Sequence, residues 1–128
     1  FTGFVQGEVL EELFSNAWLY VLPSDLEGMP ISLLEAMSYG QACLVSDIEE
    51  NKAVVGKHGF YFSQGNANSL YQVLKQLISG NQSLEMVKAS SVSYVRENFS
   101  WDDVAIRHNK VYEGLQETRK HKRYEMVK

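Results

Sequence analysis

The amino-acid sequence predicts an α/β fold in which a small parallel sheet of about four strands is flanked by helices in three layers, with a helical C-terminal end. Two observations support this prediction: short apolar runs alternate with segments of helical periodicity, and the last third of the chain keeps the helical period. The 128 residues are 45% hydrophobic and 22% charged, which is the range of a single globular domain with its own core.

Strands and helices alternate over the first half of the chain. Pro30 has no N–H and suits the start of a helix, and Gly40 stands where glycine commonly ends one. In order, the predicted elements are a strand end over residues 1–5, a helix over 8–17, a strand over 18–22, a helix over 31–38, a strand over 42–46, a helix over 49–55 and a strand over 59–62. The helix over 8–17 has five apolar residues on one face: Val9, Leu10, Leu13, Phe14 and Ala17.

The last third of the chain is predicted to contain three helices. The first two cover residues 68–78 and 84–97. A capping box of Ser100 and Asp103 opens the third, which runs through Leu115. The helix over 68–78 carries one apolar stripe: Leu70, Val73, Leu74, Leu77 and Ile78.

The charge of the chain is unevenly distributed. The net charge is −4, but residues 119–128 carry +4 and the remainder carries −8. An acidic body argues against binding of nucleic acid, which needs clustered cations. We therefore expect a domain over residues 1–118 and a basic C-terminal tail over 119–128. The tail either meets anionic lipid or a neighbouring domain, or ends a helix whose cations suit the C-terminal dipole, and the second alternative is favoured.

Cysteine and histidine are too sparse to predict a disulfide or a metal site. Cys43 is the one cysteine, so no internal disulfide can form, which fits a reducing, cytoplasmic compartment. His58, His108 and His121 show no metal-ligand spacing with one another or with Cys43. No apolar run approaches the ~20 residues of a membrane span. Phe1 in place of Met leads us to expect a piece of a longer protein.

The segment from Pro23 to Gly40 leads from the end of a predicted strand into a helix, and this position indicates a ligand site. Ligands of open parallel sheets bind at the carboxyl ends of the strands. Amides at the start of the helix lack partners within it and lie at its positive pole, so an anion such as a pyrophosphate is stabilised near Gly28 and Ser32. Gly28 also lets a ligand approach the backbone closely.

Two carboxylates in this segment, Glu27 and Glu35, are candidates for binding hydroxyl groups. With Pro30 opening the helix, Glu27 belongs to the preceding loop and Glu35 to the second turn, so both can reach one crevice. Carboxylates accept pairs of hydroxyl hydrogen bonds, which suits sugar or ribose diols. Taken without its neighbours, each glutamate is more simply a solvated surface residue.

Five blocks of sequence follow one another along the chain: Phe1-Thr2-Gly3-Phe4-Val5; Ala17 to Ser24; Glu27-Gly28-Met29-Pro30 with Leu34-Glu35-Ala36-Met37 and Gly40; Ser46-Asp47-Ile48 with Glu50-Asn51; and Phe99-Ser100-Trp101. This ordered set resembles the C-terminal, donor-binding domain of the retaining GT-B fold glycosyltransferases of the group 1 class, similar to glycosyltransferase family 4. The resemblance covers nearly all of the chain and implies a partial Rossmann-like domain.

The resemblance implies that this domain holds a nucleotide-sugar donor, linked to UDP, GDP or ADP, with no cofactor and no metal. Glu35 is expected to bind the ribose hydroxyls. Glu27, the catalytic candidate, is expected to contact hydroxyls of the transferred sugar.

The resemblance implies further donor contacts around the two glutamates. Phe4 and Val5 match the stretch that lies along the nucleotide base in such enzymes, and Ser24 precedes the donor loop and assists. The backbone expected to face the sugar and the diphosphate comprises Gly28, Met29, Pro30, Ile31 and Ser32.

The family also has strands that carry a diphosphate-binding arginine and lysine, and an N-terminal domain for the acceptor; these are not in the sequence. Lys52 and Lys57 lie in the wrong block to replace them. We therefore expect a fragment with about half of the donor site, inactive by itself. An exposed sheet edge left by the missing strands is prone to pairing, which predicts a dimer of the fragment as an accessible state.

The expected parent enzyme transfers a hexose-type sugar with retention to a glycan or lipid-linked acceptor, in cell-surface polysaccharide biosynthesis. It is expected to be cytoplasmic, or peripheral at the inner face of the membrane. Two alternatives come from other classes of protein. A nucleotide-sugar epimerase would need additional acid and histidine residues that the sequence does not display, and a non-catalytic α/β interaction module would share the periodicity but not the site.

Overall fold

The computed structural model describes residues 1–80 and 84–125. Within them, helices and strands follow one another in the predicted alternation. The elements are α1 (Glu8–Asn16), β1 (Tyr20–Leu22), α2 (Ile31–Ser38), β2 (Cys43–Ser46), α3 (Glu49–Val55), β3 (Phe60–Phe62), α4 (Ala67–Ile78), α5 (Leu84–Asn98) and α6 (Trp101–Glu125).

The three strands form one parallel sheet in the order β1-β2-β3. Leu22 pairs with Val45 at the end of the first ladder, and Ser46 pairs with Phe62 at the end of the second. All four residues of β2 are buried. A strand with neighbours on both edges and helices over its faces needs apolar residues at successive positions, as parallel sheets commonly do.

Two chemical signals define the ends of α2. Pro30 is the N-cap, and the amides of Leu33 and Leu34 donate to its carbonyl. At the other end Gly40 adopts φ 74°, its amide donates to the carbonyl of Met37, and the next amide donates to that of Ala36. This pair of bonds is a Schellman motif, which requires the left-handed conformation that glycine tolerates.

The core lies between the sheet and the helices packed on it. α2 contacts β1 and β2, α3 contacts β2, and α4 contacts β3. On the α4 side, Leu44, Phe62 and Leu77 form one buried cluster. The helices α2 and α3 contribute their own fully or nearly fully buried apolar side chains: Leu33, Ala36, Met37, Val54 and Val55.

The predicted strand over residues 1–5 is wrong, and the sheet has three strands within the described residues rather than about four. Gly3 has φ 66°, a left-handed conformation that interrupts an extended strand. Phe1 and Phe4 are exposed, so the apolar composition of this segment does not reflect burial. A strand also needs a neighbour to receive its backbone hydrogen bonds, and this segment has no ladder.

The chain divides into two compact units, Phe1–Arg96 and Glu97–Lys128. In the second unit, the Ser100 hydroxyl accepts a hydrogen bond from the amide of Asp102 at 3.1 Å, so Ser100 caps α6, although this bond reaches Asp102 and not Asp103, its partner in the predicted capping box. α6 continues past the predicted end at Leu115 to Glu125, and residues 126–128 of the predicted basic tail lie outside the described residues. In the described part of the chain, no helix is both long enough and apolar enough to cross a membrane.

Candidate functional site

The loop between β1 and α2 begins with a bond between two predicted site residues. The Ser24 hydroxyl donates to Oε1 of Glu27 at 2.6 Å, and both residues are half-buried. A hydrogen bond to a carboxylate is charge-assisted and short, so it holds the Glu27 side chain in one orientation at the carboxyl end of β1.

A second strand end is bound to this loop. The Ser46 hydroxyl donates to the carbonyl oxygen of Ser24, joining the end of β2 to the residue that holds Glu27. Nδ2 of Asn51, on α3, donates to the carbonyl oxygen of Ser46 at 3.1 Å and to its Oγ at 3.0 Å. The loop after β1, the end of β2 and α3 are therefore joined by hydrogen bonds.

A third loop closes over the same edge of the sheet. The amide of Gln64, just after β3, donates to Oδ1 of Asp47 at 2.8 Å, and its Nε2 donates to the carbonyl oxygen of Asp25 at 2.8 Å. Asp47 therefore bonds to the loop after β3 and does not cap α3, whose N-cap is Ile48, with no side-chain capping bond. The loops after all three strands are tied together.

Tyr20, at the start of β1, reaches the first turn of α2. Its hydroxyl donates to Oγ of Ser32 at 2.9 Å. Burial raises the pKa of the Tyr20 phenol above its ordinary value of 10.0, the bond to Ser32 lowers it, and the charges of Cys43, Glu27 and Glu35 raise it further. Both carboxylates therefore contribute to the electrostatic environment of this one phenol.

The surface beside Tyr20 is open to solvent. Pro30 is buried, and Met29 is 60% exposed. A Cβ added at Gly28 would meet no atom within 4 Å, so the backbone there can be approached freely. Four more predicted donor-loop residues share this exposure: Gly28, Ile31, Ser32 and Glu35.

The start of α2 offers backbone donors to this surface. Bonding within the helix begins at the amide of Leu33, so the amides of Ile31 and Ser32 lie ahead of it. Pro30 provides no side-chain cap. The positive end of the helix dipole and these amides together suit an anion.

Phe4 and Val5 lie apart from the loop in sequence, on the segment that precedes α1. Phe4 is 90% exposed and Val5 is half-buried. No regular element holds either of them, in contrast to Glu35, which α2 holds.

His58 and Cys43 are both held in packed positions. Nδ1 of His58 lies 2.8 Å from Oγ of Ser90, and its ring stacks on Tyr94 with centroids 4.1 Å apart. Burial and the charge of Lys57 lower the pKa of His58 below its ordinary value of 6.5. Cys43 is buried in β2. Among the described residues, no three His, Cys, Asp or Glu side chains are grouped as a metal site.

The family model for glycosyl transferases group 1 matches residues 1–92, which include every loop of the site. The chain belongs to this family. The expected resemblance is thereby confirmed, and the fold is that of the Rossmann-like domain of GT-B glycosyltransferases.

Proteins similar to this glycosyltransferase domain include an uncharacterised glycosyltransferase of Methanocaldococcus jannaschii, 30% identical over 115 residues, or 88% of the chain and 29% of that protein. The O-antigen chain mannosyltransferase B of Escherichia coli is 26% identical over 90% of the chain and 30% of that protein. An α-1,3-N-acetylgalactosaminyltransferase of Campylobacter jejuni, acting on N,N′-diacetylbacillosaminyl-diphospho-undecaprenol, is 30% identical over 81% of the chain and 28% of that protein.

The sucrose-phosphate synthase of Thermosynechococcus elongatus has the same fold as this domain, with a TM-score of 0.82 at 21% identity. The match covers 92% of the chain and 30% of the synthase. The chain therefore spans less than a third of the length of each of these proteins.

Several residues of the candidate site were not assigned a role from sequence, among them Ser46, Asn51, Gln64 and Tyr20. Ser46 and Asn51 stand in one of the blocks that carry the resemblance, and the available signal for Ser46 was a polar residue at the end of an apolar strand. Tyr20 had no such signal, because an aromatic residue in a strand is ordinarily a core residue.

Proposed function

We propose that the chain is the donor-binding part of a retaining glycosyltransferase and that its site holds a nucleotide-activated sugar. The observation that carries this proposal is the Glu27 carboxylate, held by Ser24 at the carboxyl end of β1, with the uncapped start of α2 directly after it in the chain. Carboxylates suit the diols of ribose and sugar, and helix amides suit the diphosphate between them. Along the chain, Glu27, the start of α2 and Glu35 follow one another in the same order as the sugar, the diphosphate and the ribose of the donor.

Each glutamate takes one end of the donor in this proposal. Glu35 binds the ribose hydroxyls, and its exposed position in the second turn of α2 leaves the carboxylate accessible. Glu27 contacts hydroxyls of the transferred sugar and is the catalytic residue of the set, with Ser24 assisting by its hydrogen bond. A hydrogen bond from Ser24 occupies one of about four acceptor positions of a carboxylate, so Glu27 retains acceptors for sugar hydroxyls.

The diphosphate lies at the start of α2 in this arrangement. The backbone from Gly28 to Ser32 faces the sugar and the phosphates, and the helix dipole stabilises the charge that develops on the leaving diphosphate. No resident metal is required for that role. Phe4 and Val5 line the nucleotide base.

The proposed parent enzyme transfers a hexose-type sugar, with retention, to a glycan or lipid-linked acceptor held by a further domain. The names of two relatives support a role in cell-surface polysaccharide synthesis, since one acts on O-antigen chains and one on an undecaprenol-linked acceptor. An enzyme of this kind would act in the cytoplasm or at the inner face of the membrane. The exposed edge strand β1 would allow the fragment alone to dimerise.

Ligand-observed NMR of the chain with UDP, GDP and ADP and their sugars tests the proposal. Glu35→Ala should abolish the signal of the nucleotide class that binds, because the ribose loses its acceptor. Glu85→Ala, which removes an exposed glutamate from α5, is the matched control and should bind as the unmodified chain does. Binding that persists in Glu35→Ala, or that is lost equally in Glu85→Ala, would contradict the assignment.

A further inference from the structure

Three buried or half-buried residues connect α3 to Glu27, and we infer that they position its carboxylate to discriminate the sugar of the donor. We refer to Asn51, Ser46 and Ser24 as the Asn51–Ser46–Ser24 network. This inference rests on the proposed function, because it concerns the sugar-contacting glutamate of the same site. It assigns Asn51 and Ser46 as positioning residues, which act on the ligand only through Glu27.

The network begins at a fully buried amide. Asn51 is 0% exposed, and its Nδ2 donates both to the carbonyl oxygen and to Oγ of Ser46. Oδ1 of Asn51 has no hydrogen-bond partner among the described residues, so the two Nδ2 bonds alone orient the side chain. An amide nitrogen only donates, so the Ser46 oxygen must accept this bond and has its single proton left for another partner.

The second step carries this orientation from β2 to the β1 loop. The ladder between the two strands ends at the pair Leu22 and Val45, and Pro23 has no N–H with which to extend it. The hydroxyl of Ser46, 1% exposed, donates instead to the carbonyl oxygen of Ser24. The Ser46 side chain therefore fixes the loop after β1 at the point where the backbone ladder between β1 and β2 ends.

The third step reaches the ligand-facing group. Ser24 is held by its carbonyl, and its own hydroxyl donates to Glu27 at 2.6 Å. The two hydrogen bonds use different atoms of Ser24, its carbonyl oxygen and its hydroxyl. The network can therefore fix the position of the Glu27 carboxylate, but it cannot relay a proton to it. Loss of the Ser46 hydroxyl would release the carbonyl of Ser24 and let the Glu27 carboxylate leave its orientation.

The consequence is selective for one end of the donor. Glu35 is held by the backbone of α2, which ends in its own Schellman motif and receives no bond from this network. Damage to the network should therefore weaken the contact with the sugar and leave the contact with the nucleotide unchanged. A mere loss of stability would weaken both.

Binding of the chain to UDP, GDP and ADP, compared with UDP-glucose, GDP-mannose and ADP-glucose, separates these possibilities by calorimetry or NMR titration. In Ser46→Ala, we expect the dissociation constant of the bound nucleotide sugar to rise about tenfold. This is the effect of losing one hydrogen bond between a sugar hydroxyl and the charged Glu27 carboxylate. The dissociation constant of the matching nucleoside diphosphate should change less than about twofold. Ser46→Cys keeps a donor at this position, weaker than the hydroxyl and on the larger sulfur atom, and should show the same selectivity with a smaller effect if Ser46→Ala does not fold.

Ser91→Ala is the matched control. Ser91 is also fully buried, and its hydroxyl donates within α5, to the carbonyl of Lys88 at 3.0 Å. Neither dissociation constant should change in this variant. Equal weakening of sugar and diphosphate in Ser46→Ala, or no weakening of either, overturns the positioning role. Failure of the unmodified chain to bind any of the diphosphates or nucleotide sugars overturns the proposed function, and the network's role with it.

Discussion

Gly59 is the position at which the smallest possible side chain should be most damaging. It precedes β3, and an ideal Cβ added there would lie 2.5 Å from Cγ1 of Val55 and 2.9 Å from the carbonyl oxygen of Cys43. Val55 is fully buried and cannot rotate away into solvent. Cys43 belongs to the central strand, so its carbonyl can retreat only if the backbone of β2 moves.

Gly59→Ala should therefore lower the free energy of unfolding of the first unit by about 2 kcal/mol, since overpacking of a close-packed core costs ~1–3 kcal/mol. With a urea m value of about 1.5 kcal/mol/M, the unfolding midpoint falls by about 1.3 M. Trp18 lies just before β1 and reports on the unit by fluorescence. The chain has two tryptophans, so the measurement is made in a Trp101→Phe background.

Two variants make the Gly59 result interpretable. In Gly28→Ala the added Cβ meets nothing within 4 Å, so its stability should change by less than about 0.5 kcal/mol. In Gly59→Ala/Val55→Ala the 2.5 Å overlap is gone, so the double variant should be more stable than the sum of the two single changes predicts. An unfolding midpoint for Gly59→Ala equal to that of the unmodified chain would refute the close packing of β3 against β2.

Two further predictions concern the buried thiol and the cap of α4. Burial raises the pKa of Cys43 from its ordinary value of 9.0 to about 12, so above pH 9 the thiol ionises in the unfolded chain while the folded chain keeps it protonated. The free energy of unfolding should therefore fall with a slope approaching about 1.4 kcal/mol per pH unit, and urea titrations at pH 9 to 10 should show a shallower fall in Cys43→Ala. Asn66 accepts a hydrogen bond from the amide of Ser69 at 2.9 Å as the N-cap of α4, so Asn66→Ala should cost about 1 kcal/mol. Asn68→Ala, an exposed asparagine on the same helix, should show no such loss of stability in thermal melts. Equal losses in the two variants would mean that replacing any asparagine of this helix is destabilising, and that the cap is not the cause.

The helices α2 and α3 could be predicted to the residue, and for α2 local chemistry defines both ends. A proline N-cap and the glycine after α2 act through their own backbones and need no distant partner. The strands were predicted too long, since an apolar residue such as Trp18 belongs to a strand only where a neighbouring chain segment receives its hydrogen bonds. The same limit explains the failed strand at residues 1–5. The last helix was predicted to end too early, at Leu115, because the polar residues beyond it form no apolar stripe. Their helix propensity nevertheless favours the helix, which continues to Glu125.

The site could be predicted only in its local part. Glu27, Glu35 and the start of α2 follow from one continuous segment, and their shared surface follows from where the helix begins. The bond from Ser46 to Ser24 spans 22 positions and depends on the register of two strands, which no local pattern contains. Tyr20 belongs to the site because its phenol reaches across to Ser32, a contact that its strand position did not reveal.

Gln64 connects all three loops of the site, and this has a consequence for how the site can diverge. Its backbone and side chain bind Asp47 and Asp25, which belong to the other two loops. Groups that share partners do not respond independently to substitution. A lineage that alters one loop to accept a different ligand would move the anchors of the other two. Substitutions that change ligand specificity should therefore occur together in all three loops, and the effect of each should depend on the others. Substitutions in the strands are constrained by core packing.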